Sequence, residues 1–183
     1  YTNEDKTNYY IVLPSHEIEL GLWLESDRMQ AFAVTEESLQ TQKEVVKEEK
    51  RQLFDNKPYG SLSLEFPPRL FNNSGYGWDT IGVVEDIDSA TLADAKFFFD
   101  NYYIPNNAVL SITGDVDYNF AKDAVEKYFG ELKPGHVKRK QYSFDNYNRG
   151  EIRDTIYDNI HFPGLFMAYR IPKENSKEHY VFD

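Results

Sequence analysis

The sequence predicts a chain of mixed helices and strands, and two observations predict it. Stretches with apolar residues at three- and four-residue spacing, bounded by caps and stops, alternate with short runs rich in β-branched and aromatic residues. The composition suits a folded chain: of 183 residues, 40% are hydrophobic and 16% aromatic, with 14 Tyr and 13 Phe. A disordered chain carries less apolar surface, and this length suffices for one domain with a core.

Residues 9–13 (Y-Y-I-V-L) read as a strand. Pro14 and Ser15 then open a helix, with Ser15 as its cap. Ile18, Leu20, Leu22, Trp23 and Leu24 wrap most of its circumference, which predicts a well buried helix. His16 lies in the first turn, where a surface histidine is the reading favoured over a ligand.

Residues 35–54 read as the helix around which the chain is organised. Thr35 is its N-cap, and Glu36 and Glu37 sit in the first turn, where the helix dipole favours acids. Asp55 and Asn56 supply the stop. Leu39, Gln42, Val46, Glu49 and Leu53 step by three and four and so share one face. Two of the five are polar. If that face is buried, Glu49 needs a partner, because an unpaired buried carboxylate is costly; a metal ion is one such partner. Periodicity alone favours the plainer alternative, a charge-rich helix with Glu49 at a solvated edge.

A turn follows at residues 55–60 (D-N-K-P-Y-G). Residues 61–71 are ambiguous: Leu62, Leu64 and Phe66 alternate as in a strand, whereas a helix is expected to be broken or ended at Pro67 and Pro68. Residues 72–77 are a loop, and Asn72-Asn73-Ser74 fits a glycosylation sequon. Thr91 with Asp94 makes a capping box for a helix that runs to about Tyr102, whose Phe97, Phe98 and Phe99 read as core. Residues 108–113 (A-V-L-S-I-T) read as a strand. Gly114-Asp115-Val116-Asp117 reads as a turn plus an N-cap at Asp117, since the two aspartates lack the further oxygens of a calcium loop. The helix that follows carries Ala121, Ala124, Val125 and Tyr128 on one face and stops at Gly130. Residues 133–150 shift in composition and read as a linker or arm, with Lys138, Arg139 and Lys140 as a solvated charge run. Residues 152–156 and 165–170 read as strands.

Several of these segments together resemble a known family. Residues 42–49 (Q-K-E-V-V-K-E-E) are similar to the E-R-x-V-V-x-E-E segment of the insulinase, pitrilysin and mitochondrial-processing-peptidase family, the inverted zincins. Residues 1–9, 20–29, 102–110 and 114–117 resemble further segments of that family in the same order, so the likeness covers most of the chain. The resemblance implies an α+β fold, with helices packed on one face of a mainly antiparallel sheet. It implies a zinc-dependent metallopeptidase that hydrolyses peptides. Glu49 falls on the position of the third zinc ligand. Gln42 falls on a supporting acidic position beside the site, where glutamine is a departure. The family's H-x-x-E-H motif is absent, and His16-Glu17-Ile18-Glu19-Leu20 does not supply it in either direction.

By this comparison the chain looks like a cut piece of a longer protein. Residues 1–132 would be most of a first peptidase domain, 133–150 a linker, and 151–183 the strands leading into a second homologous domain. Zinc is then expected in the parent and not in the piece, which should be inactive alone. Two rivals remain: a non-catalytic peptide-binding or scaffold subunit of the same family, and an unrelated α+β interaction domain. Partners would be a peptide or protein substrate and a homologous partner subunit or a second copy. A bacterial periplasm or cell envelope is suggested by the family alone.

Composition narrows the partners further. Net charge is −11 and the pI about 4.8, so a phosphate backbone would be repelled and nucleic acid is not expected. There is no cysteine, hence no disulfide framework and no thiol nucleophile. No apolar run in this stretch is long enough to span a bilayer.

Overall fold

The computed structural model describes residues 1–71, 74–137 and 150–181. Asn72 and Asn73 of the sequon, the basic triplet and most of the expected linker therefore lie outside the described residues. Six α-helices are present among the described residues: α1 (Ile18–Gln30), α2 (Glu36–Lys50), α3 (Leu62–Leu70), α4 (Val84–Ser89), α5 (Leu92–Tyr102) and α6 (Tyr118–Phe129). The expected antiparallel sheet is not found among the described residues. Among the described residues the only strand-type pairing is a pair of isolated bridge positions at Thr2 and Thr7. The runs at 9–13, 108–113, 152–156 and 165–170 are non-helical but have no ladder hydrogen bonds. Their side chains suit a pleated surface, yet a strand is stable only when another strand pairs with it, and none of these runs pairs with another. The mainly antiparallel α+β architecture is thus corrected to a set of helices joined by unpaired segments.

The chain divides into two compact units. The first comprises Tyr1, Thr7–Glu44 and Glu85–Lys140. Within it α1 packs on α6, and the buried apolar side chains are Leu22 (4% exposed) and Ala124 (5%). Gly21 permits this neighbourhood, since a Cβ there would lie 2.8 Å from Leu13 Cδ2. Lys127 reaches Glu19 at 2.7 Å, and the Tyr128 hydroxyl donates to the same carboxylate at 3.3 Å. A row of rings runs from Phe32 to Phe99 (5.5 Å between centroids) and on to Tyr103 (5.2 Å). Tyr103 shares a 2.5 Å hydrogen bond with Tyr9, and the Arg28 guanidinium lies 4.2 Å from the Tyr9 ring centre.

Local chemistry explains the helix boundaries. Thr91 and Asp94 form the expected capping box at α5, and Asp117 accepts from the Phe120 N–H at 2.8 Å to cap α6. Gly114, at φ +130°, makes the turn before that cap. Thr35 accepts from the Ser38 N–H at 3.2 Å, as the N-cap of α2. Three expectations fail. Ser15 does not cap; it begins a single 3₁₀ turn, Ser15–Glu17, with no side-chain cap. Leu20, Trp23 and Leu24 of α1, like Phe97 and Phe98 of α5, are exposed rather than buried.

The second unit comprises Thr2–Lys6, Val45–Val84 and Gln141–Asp183. No apolar side chain is fully buried among its described residues, and directional polar contacts hold it. Arg69 donates to Asp154 at 2.6 and 3.0 Å, Ser61 to Asp158 at 3.2 Å, and Tyr59 to the Phe162 carbonyl at 2.8 Å. Arg170 donates to the Leu70 carbonyl at 2.6 Å, satisfying a carbonyl at the C-terminal end of α3. Tyr76 donates to Asp5 at 2.7 Å. The ambiguous residues 61–71 are mostly helix, and α3 continues through Pro67 and Pro68 to Leu70. No helix among the described residues is long and apolar enough to cross a membrane.

Candidate functional site

Helix α2 carries both residues singled out by the sequence. Gln42 and Glu49 lie seven residues apart in the sequence, and both are exposed. The predicted stripe is not a buried seam: Leu39 and Val46 are half-buried and Leu53 is exposed. The buried residue of α2 is instead Lys43, 7% exposed. Its Nζ donates to the Asp88 carbonyl at 2.9 Å, placing a cation on a carbonyl near the C-terminal end of α4, where the helix dipole favours positive charge.

The two neighbouring glutamates differ in their surroundings. Glu48 pairs with Arg51 and accepts from the Gln52 amide at 2.9 Å. The Glu49 side chain makes no hydrogen bond or ion pair among the described residues. Immediately after it the helix changes register. Arg51–Asp55 is a π-helical turn, in which the Asn56 N–H reaches the Arg51 carbonyl five residues back, at 2.9 Å. Single π-turns occur inside helices at functional sites and also close helix C-termini; this one forms the C-terminal end of the helix that carries Glu49. Sequence reading missed both this turn and the burial of Lys43. Its one available signal was the opposite-charge pair Lys50 and Asp55 at a spacing of five.

A free carboxylate on an exposed face is chemically suited to a cation, and zinc takes carboxylate oxygens beside histidine nitrogens. The described residues hold no complete zinc site: among them no group of three or more His, Cys, Asp or Glu could hold a metal. His16 lies at the surface, its side chain 76% exposed, 3.6 Å from Glu17. Glu49 thus fits one ligand position and not a set. Apart from α2, the described residues of the first unit form a shallow cleft of about 210 Å³, lined by Trp23, Asp27 and Gln30 on one side and Lys127, Tyr128 and Glu131 on the other.

Comparison with known proteins defines the class. Residues 89–183 match the family described as Peptidase M16 inactive domain. The chain belongs to the M16 peptidase family, the group to which the sequence segments pointed. The chain is 28% identical to the zinc protease PqqE of Helicobacter pylori over 185 residues, which is 100% of this chain and 42% of that protein. It is 23% identical to the mitochondrial-processing peptidase subunit beta of Caenorhabditis elegans, over 92% of this chain and 36% of that one. The crystal structure of a protease from Helicobacter pylori superposes with a TM-score of 0.62 at 31% identity, covering 68% of this chain and 30% of that chain. The chain thus spans less than half the length of these relatives.

Proposed function

We propose that this chain is part of a zinc-dependent metalloendopeptidase that hydrolyses peptides, in which Glu49 is one zinc ligand and Gln42 is a supporting position beside it. The observation that carries the reading is the contrast on one helical turn: Glu48 is spent on Arg51 and Gln52, while Glu49 is exposed and free of protein partners among the described residues. Family membership and the zinc-protease relative support it. Zinc, when bound, polarises a scissile carbonyl and activates a water. The share of this chain is one carboxylate on a firm helix. The histidines and the general base of the H-x-x-E-H motif are not in this sequence, so the chain alone cannot complete the chemistry. The domain reading, 1–132, a linker at 133–150 and a second start at 151–183, belongs to the same proposal.

The test uses the full-length protein that carries this chain. It should hydrolyse an unstructured peptide, lose that activity to a chelator and regain it with added zinc. A zinc-independent activity would contradict the reading. A second reading, a non-catalytic peptide-binding or scaffold subunit, is favoured by Gln42, neutral where the family segment carries an acid. It predicts peptide binding without cleavage in the same assay. Family membership removes the unrelated-domain alternative.

A further inference from the structure

The π-turn after Glu49 is a built feature. In a regular α-helix residues five apart point about 140° from one another, so Lys50 and Asp55 could not meet. Here they form an ion pair at 2.9 Å, with the Lys50 side chain only 13% exposed. The far end of the turn is closed as tightly. Gly60 packs on the Phe54 carbonyl so closely that a Cβ would lie 2.0 Å from its oxygen, and Tyr59 before it sits in the left-handed region at φ 60°. A frayed helix end would not keep a strained residue and a glycine without free space.

We propose that Lys50 and Asp55 are positioning residues: their ion pair clasps the π-turn and so fixes the direction in which Glu49 points. The mechanism is geometric. Removing the extra residue from the turn would rotate the preceding helical residues, Glu49 among them, by about 100° relative to the chain that follows. The ion pair is compatible with the π register and not with the α register, so it selects between them. The functional meaning of the clasp rests on Glu49 being a ligand; its existence does not.

Spin-label distances test it without zinc. These 183 residues contain no cysteine, and any cysteine elsewhere in the full-length protein is first replaced by serine. Labels at Glu49→Cys and Ser63→Cys in the full-length protein should give a single distance. Lys50→Met, and independently the near-isosteric Asp55→Asn, should shift or split that distance by several ångströms, up to about 8 Å, the chord of such a rotation on a helix about 10 Å wide. Lys50→Arg should restore it. Arg51→Gln, which removes a charge from the same turn but not from the clasp, should leave it unchanged. An unmoved distance in both clasp variants overturns the proposal. Zinc titration of Glu49→Gln judges the ligand reading separately: a moved distance with unaffected zinc binding keeps the clasp and removes the ligand, and the opposite pattern does the reverse.

Discussion

Glu48 and Glu49 are chemically the same residue in adjacent positions, and their neighbours give them different work. Glu48 joins Arg51 and Gln52 on the surface, the kind of exposed pair that contributes at most about 1 kcal/mol. Glu48→Gln should therefore lower stability by less than about 1 kcal/mol by denaturant titration. Gly60 is a sterner case. Its substitution by alanine places a methyl carbon 2.0 Å from the Phe54 oxygen, so backbone must move. Gly60→Ala is expected to cost more than about 1 kcal/mol, and a neutral result would show that the turn yields easily. Tyr103 supplies a pH signature. Burial first, then the hydrogen bond with Tyr9, pushes its hydroxyl from 10.0 up to about 12. The folded state holds this proton longer than the unfolded chain does. Stability is fully present below pH 10 and should fall as pH rises from about 10 toward 12. Tyr103→Phe should flatten that part of the curve in a pH series of thermal melts.

At the scale of elements, the caps are the most transferable feature. Thr91 and Asp94 reciprocate at α5, and the Asp94 carboxyl is held below its usual range, chiefly by hydrogen bonds from the Thr91 side chain and backbone. Thr91→Ala should lower stability by about 1 kcal/mol, read as a drop in denaturant midpoint with unchanged slope. The caps at Thr35, Thr91 and Asp117 were legible in the sequence because one side chain and one nearby N–H decide them locally. Helix α2 was legible for the same reason, as was the place of Glu49 on it. The π-turn was not, because nothing in a period of 3.6 announces an extra residue. The buried face of α2 was not, because Lys43 is buried by a carbonyl distant in sequence. The sheet failed differently: residues 9–13 and 165–170 have strand composition, but composition reports a side chain's taste for a pleated surface and not whether a partner strand exists. Proline at 67 and 68 misled in the other direction, since α3 tolerates both in its second half.

At the scale of the molecule, the exposed apolar surface dominates. Val109 is 96% exposed and Leu165 89%, and Tyr157, Val12 and Phe162 are similarly open. Unpaired segments of this composition favour association through their backbone edges and side chains. The isolated chain is expected to form dimers or larger species, and light scattering over a wide concentration range checks this; a clean monomer throughout would count against it. The relatives are more than twice as long as the stretch matched here. We expect Glu49 to gain its zinc partners from protein outside these residues.

The zinc content of paired variants of the full-length protein tests that claim most directly. Glu49→Gln and Glu48→Gln each remove one negative charge from the same helical turn, about 100° apart around the axis. If Glu49 is the ligand, Glu49→Gln should lower zinc occupancy and peptidase activity together, by tenfold or more on the order of what altered metal sites show, while Glu48→Gln leaves both near the parent level. Equal zinc occupancy in the two variants would contradict the account.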